Sequence, residues 1–205
     1  MPPVVIRPLA PELLEPAARL LGGSMSDNPL HRRVFADDEA RIEPLLAEAF
    51  ARLLQRQMRT GLVLGAFEAE RLTGVAAMVP SAHCQPTLWD KLGMLPILAR
   101  GRGLRHLPRI HRWLSVWARR DLAVEHWHLG PAAVERERQG QSIGTALLAA
   151  ICEDLDRRQA IGYLETDKHV NVRLYRRNGF EVVAEQPVLG VPNWFMLRRP
   201  TATIA

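Results

Sequence analysis

The chain has 205 residues and a mass of 23.1 kDa, with 47% hydrophobic and 24% charged residues and a mean hydropathy of −0.09, which points to one globular domain and away from disorder. Its formal charge of +5 comes from 25 Arg and two Lys (Lys91 and Lys168) against 22 acidic residues, a field that attracts polyanions such as nucleic acid, an acidic partner or the phosphates of a nucleotide without choosing among them. Cys84 and Cys152 fit neither a disulfide framework nor a metal-ligand spacing, and no apolar run of about 18 residues occurs, so the expectation is a reduced cytoplasmic protein with no metal and no membrane span.

Val4 to Arg7 reads as a first strand, and Pro11 to Leu21 has helical apolar spacing that stops at Gly22-Gly23. A second helix is expected over Asp37 to Arg59, where Ile42, Leu45, Leu46, Ala49, Phe50, Leu53 and Leu54 fall on one face. Leu62 to Phe67 and Leu72 to Val79 are β-prone runs separated by the polar turn Glu68 to Arg71, which predicts an antiparallel hairpin closed by Pro80. From Ser81 to Asp121 the character changes: prolines and glycines punctuate two short helical stretches rich in Arg, His and Trp, with a dense basic run from Arg100 to Arg120. That run reads first as a solvated helix face.

Val124 to Val134 returns to strand character but carries Gly130-Pro131 in its middle, and a proline cannot donate to a ladder, so this strand must bulge or part from a neighbour there. Ser142 to Arg157 is a strong helix, followed by a strand over Ile161 to Thr166, a helix over Asn171 to Asn178, and strands near Phe180 to Glu185 and Asn193 to Arg198. The order of elements gives a mixed α/β class in a single domain, residues 1–205, with a divergent helical segment at about 81–121.

The run Gln139-Gly140-Gln141-Ser142-Ile143-Gly144-Thr145 is a small-residue turn between a strand end and a helix. The first helical N–H groups have no intrahelical partner and lie at the positive end of the macrodipole, so such a turn can hold a pyrophosphate without lysine. Gly140 and Gly144 permit close backbone approach, and Ser142 fits if its φ is negative, with its hydroxyl then free to cap the helix.

This run resembles the Q/R-x-x-G-x-G/A motif of the GNAT acetyltransferases, with Ser142 where that superfamily usually has Gly. The resemblance extends to Glu125-His126-Trp127-His128-Leu129 as a fourth strand, to Tyr163-Leu164-Glu165-Thr166 as a fifth, and to Asn171 through Tyr175 to Gly179-Phe180 as the N-x-x-x-Y-x-x-x-G-F segment. It covers about Val124 to Arg198 well, the first half only in its order of elements, and Ser81 to Asp121 hardly at all. It implies a mostly antiparallel sheet whose parallel strands 4 and 5 splay into a slot for acetyl-CoA (CoA).

For the cofactor the resemblance implies backbone contacts from Ala132 and Val134 to pantetheine and the thioester. It also implies a pyrophosphate cradle from Gln139, Gly140, Gln141, Ser142, Ile143, Gly144 and Thr145, and a pantetheine contact from Asn171. Tyr175, one turn beyond Asn171 on the same face, becomes the acid for the departing thiolate. An ammonium cannot attack a thioester, so a base is needed as well. His128, eleven positions before Gln139, is the first candidate, and Glu165 on the adjacent strand is the second. The expected reaction is acetyl transfer to a primary amine, of a small molecule or a peptide, by direct attack. The alternative is a non-catalytic acyl-CoA sensor of the same fold. No nucleic-acid motif accompanies the basic run, and a homodimer is left open.

Overall fold

Runs that read as strands in the sequence form one seven-stranded sheet in the structure, a computed structural model that describes residues 3–35, 41–100 and 103–201. In chain order the strands are β1 (Val4–Pro8), β2 (Leu62–Glu68), β3 (Arg71–Pro80), β4 (Trp127–Val134), β5 (Gly162–Thr166), β6 (Glu181–Glu185) and β7 (Trp194–Arg198). Across the sheet they run β1-β2-β3-β4-β5-β7-β6, antiparallel at every step except β4–β5. This is the mixed α/β class and sheet that the resemblance implies.

Seven α-helices are described: α1 (Leu14–Met25), α2 (Pro29–Val34), α3 (Ile42–Thr60), α4 (Leu88–Arg100), α5 (Leu107–Arg120), α6 (Ile143–Arg157) and α7 (His169–Arg177). Successive strand side chains point to opposite faces. Val63, Phe67, Val75, Ala77, Tyr163 and Phe195 therefore join one core, under Leu21, Leu46, Phe50, Leu54 and Val116 of α1, α3 and α5. Their neighbours Leu64, Ala66, Ala76, Met78, Leu164 and Met196 join the other, under Ile143, Leu147, Ile151, Leu155 and Val172 of α6 and α7. Each fully buried side chain of this kind contributes about 1.5–3 kcal/mol, so both layers hold the sheet that carries the site.

Some boundaries differ from the sequence reading, among them the start of β4, at Trp127 rather than Val124. The first helix does not stop at Gly22-Gly23; α1 runs through both to Met25. A Cβ on Gly22 would lie 2.8 Å from Ala47 N and from Glu43 O of α3, so this glycine lets two helices cross at backbone distance. Helix α7 begins at His169, two residues before Asn171, and Lys168 is its N-cap residue. The second helix of the sequence reading, Asp37 to Arg59, corresponds to α3, Ile42–Thr60, and its expected start lies outside the described residues. The two stretches of the 81–121 segment are helices of 13 and 14 residues.

Candidate active site

β4 and β5 pair at two positions only, Trp127 with Gly162 and His128 with Tyr163. Beyond them β4 continues to Val134 on β3 alone, with Ala76 opposite Ala132 and Gly74 opposite Val134. The edge of β4 that turns from β3 therefore leaves the parallel ladder at its third residue, which opens a slot beside Ala132 and Val134. Gly130–Pro131 is a cis peptide at the parting point, and the β3–β4 register shifts there, between Ala76 and Met78. Gln57 of α3 donates to Gly130 O at 2.7 Å and holds the bulge from the opposite layer.

The turn beyond β4 is clamped by charge. Arg71 donates to both oxygens of Glu135 at 2.7 Å, Arg136 reaches Ser26 and Glu43, and Arg138 pairs with the buried Glu68. Gln139 folds back to donate to Val134 O at 3.1 Å, and Gln141 to Glu137 O at 3.3 Å. With these side chains committed, the donors this turn can offer a ligand are backbone N–H groups. The bond from Ala146 N to Ser142 O, 3.0 Å, opens α6, so the N–H groups of Ile143, Gly144 and Thr145 precede any carbonyl the helix can offer them.

Ser142 corrects the sequence reading. Its φ is +64°, left-handed rather than negative, and its hydroxyl makes no capping bond. A left-handed φ at a residue with a Cβ costs roughly 1–2 kcal/mol, which accounts for glycine being the usual occupant; Gly140, at φ +77°, meets the same demand without that cost.

α7 lies beside the cradle. A Cβ built on Gly144 would meet Leu174 Cδ2 at 3.9 Å and Val134 Cγ2 at 3.6 Å, so the start of α6 touches both α7 and the end of β4. Asn171 and Tyr175 share the helical face of Leu174. Asn171 Nδ2 donates to Thr166 Oγ1 at 3.4 Å, and the Tyr175 ring meets Phe180 edge-on, centroids 5.8 Å apart. Burial, with the Asp167 carboxylate near, pushes the Tyr175 phenol up to about 12, so it keeps its proton at neutral pH.

The two candidate bases are brought into one ion pair, His128 Nε2 to Glu165 Oε2 at 2.9 Å, with Glu165 nearly sealed from solvent. Burial disfavours charge on the His128 ring, but the facing carboxylate more than offsets this and pushes the imidazolium up to about 10. Sequence reasoning missed the arginine clamps, whose partners lie far along the chain, and the Thr166 hydroxyl that Asn171 engages across a strand-to-helix turn. Two members of the basic run bond to distant parts of the fold: Arg109 donates to Val34 O at 3.3 Å, and the exposed Arg120 to Gln186 Oε1 at 2.6 Å.

This geometry matches known proteins. Residues 34–180 fit the Acetyltransferase (GNAT) family, and the chain belongs to that family. Among solved structures, a histone acetyltransferase HPA2 and related acetyltransferase from Corynebacterium glutamicum aligns with a TM-score of 0.68 at 16% identity, over 98% of this chain and 99% of that one. PaiA N-acetyltransferase from Thermoplasma acidophilum, in complex with coenzyme A, aligns at 0.61 and 16% identity over 96% and 99%. The ribosomal-protein-S18-alanine N-acetyltransferase from Escherichia coli aligns at 0.56 and 16% over 98% and 97%. At such identities the likeness is one of fold.

Proposed function

We propose that the protein transfers an acetyl group from acetyl-CoA to a primary amine by direct attack in a ternary complex. The observation that carries this reading is the β4–β5 contact of two residue pairs with the first turn of α6 beside it. Pantetheine lies along the backbone of Ala132 and Val134, and the pyrophosphate accepts from the N–H groups of Gln141 to Thr145. Asn171 flanks the pantetheine. The amine nitrogen bonds to the thioester carbonyl carbon, the C–S bond then breaks, and the Tyr175 hydroxyl donates to the departing thiolate.

The amine must also lose a proton. His128 and Glu165 engage each other, and Glu165 is almost wholly buried, so we read them as a fixed pair and water as the acceptor of that proton. The amine is a small molecule or a peptide, since the fold alone does not choose the acceptor.

The test is calorimetry of CoA with wild type and Gly144→Val. The Cβ at this position meets side-chain atoms at ordinary contact distance, so the variant folds while its branched side chain crowds the phosphate. Wild type binds CoA and gains about 2.7 kcal/mol of stability at a hundredfold excess over Kd; the variant shows neither effect. Normal CoA binding by Gly144→Val would overturn the cofactor assignment. A panel of amines, scored by release of free CoA thiol, then identifies the acceptor.

A further inference from the structure

Four metal-ligating atoms from three separate elements meet at the start of β4. Cys84 follows the turn Ser81–His83 after β3, Asp121 ends α5, and His126 and His128 flank Trp127. One ligand atom from each lies within 4.8 Å of all the others. Asp121 Oδ1 is 3.0 Å from His126 Nε2, and the single hydrogen of the Cys84 thiol is shared between Asp121 Oδ2 at 3.2 Å and Ser81 O at 3.1 Å.

The outer partners decide which ring nitrogens face inward. His126 Nδ1 is 2.8 Å from Val124 O; a carbonyl only accepts, so Nδ1 carries the hydrogen and Nε2 presents its lone pair in the neutral ring. His128 Nε2 is engaged by the Glu165 carboxylate, which leaves Nδ1 as its inward atom. His126 Nε2, 3.0 Å from Asp121 Oδ1, and His128 Nδ1, which has no hydrogen-bond partner, are both closed to solvent, and His126 is 1% exposed. Buried polar atoms rarely stay unpartnered, because each such loss costs a few kcal/mol. In the neutral state four lone-pair atoms share one thiol proton, which is a cation's environment.

We propose that Cys84 Sγ, Asp121, His126 Nε2 and His128 Nδ1 bind one Zn²⁺ in a closed tetrahedral site. Bonds of about 2.0–2.3 Å place tetrahedral ligands roughly 3.3–3.8 Å apart, so separations within 4.8 Å need to close by no more than about 1.5 Å. As the bonds to Zn²⁺ form, the thiol proton and the proton on His128 Nδ1 leave to solvent, and one thiolate with one carboxylate neutralises the ion. One sulfur, two imidazoles and one carboxylate suit zinc rather than magnesium or calcium.

The second layer fits the same reading. Val124 O and Glu165 orient the rings, while Gln85 Nε2 at 2.7 Å and Leu122 N at 3.0 Å orient the Asp121 carboxylate. The buried Tyr163 ring stands edge-on to both imidazoles at 5.5 and 5.8 Å. Four protein donors leave no open position, so the ion staples both ends of the 84–121 segment to β4 and performs no chemistry.

The proposal stands apart from acetyl transfer and is tested on the full chain. Protein treated with chelator and dialysed is titrated with Zn²⁺ against a chromophoric competitor, and separately loaded with Co²⁺. Expected are one equivalent per chain, a higher Tm with Zn²⁺, and a thiolate-to-cobalt charge-transfer band in the near ultraviolet. Cys84→Ser should abolish the band, and Asp121→Asn should weaken Zn²⁺ binding at least tenfold, with far-ultraviolet circular dichroism showing that both fold. Failure of the wild-type protein to bind Zn²⁺ would leave the cluster as a hydrogen-bonded network and overturn the proposal. So would a cobalt spectrum without the charge-transfer band, or Zn²⁺ binding that neither substitution weakens.

Discussion

In the proposed reaction Tyr175 has to stay protonated until a thiolate departs, and a phenol raised to about 12 does so across the neutral range. The same rise limits what it can do. A thiol ordinarily titrates near about 8.5, so full transfer from this phenol to a free thiolate runs uphill. A hydrogen bond that strengthens as the C–S bond breaks avoids that cost, and losing one such donor from a transition state typically slows the step by 10² to 10³. Tyr175→Phe keeps the ring contact with Phe180 and removes only the hydroxyl. Single-turnover acetyl transfer to an identified amine should slow by roughly 10² to 10³ while CoA affinity hardly changes. An unchanged rate would take Tyr175 out of the chemistry, and with no transfer to any amine in wild type the fold would serve as a CoA-binding module.

Helix α1 shows why adjacent glycines in one element are not equivalent. A Cβ at Gly22 would press on backbone atoms of Ala47 and Glu43 at 2.8 Å, whereas one at Gly23 meets nothing within 4 Å. Gly22→Ala should cost about 1–3 kcal/mol by forcing α1 and α3 apart, and Gly23→Ala should stabilise by about 0.5–1 kcal/mol through helix propensity. Paired thermal melts check this, and equal shifts of the same sign would reject the close crossing. The sequence reading took both residues as a stop signal because local rules cannot register an approach from a helix about 25 residues downstream. Helix α2 escaped for a similar reason: its start is capped by Asp167, which accepts from Leu30 N at 2.7 Å across 137 positions. The turn before α6 and the helical face of Asn171 and Tyr175 were legible because a strand-turn-helix and one helical turn are local objects. The Cys84–Asp121–His126–His128 cluster was not, since cysteine spacing says nothing of a site with one cysteine and donors spread over 44 positions.

At the scale of the molecule, α6 spans the sheet from the cradle at its first turn to an anchor at its last. Asp156, one residue from the end of α6, accepts both Arg198 nitrogens of β7 at 2.8 and 2.7 Å and Thr201 N at 2.8 Å. A carboxylate near a helix C-terminus faces the negative end of the macrodipole, so this position is favourable only because Arg198 is there. Hydrogen bonding from Arg198 holds the Asp156 carboxyl well below its ordinary 3.8, at about 2. A carboxyl depressed in the folded state stabilises the fold above its unfolded value, and that contribution fades as pH falls through the folded one. With about a third of the side chain exposed, screening reduces the effect to about 1–2 kcal/mol. Asp156→Asn should therefore lower stability by about that amount at pH 5 to 7, measured by denaturant unfolding. The gap between the two proteins should close as pH falls from about 4 to 2, where wild type loses the charge that the variant lacks. A gap of constant size across that window would mean that the charge on Asp156 does not stabilise the fold, and that α6 is held against β7 by packing alone.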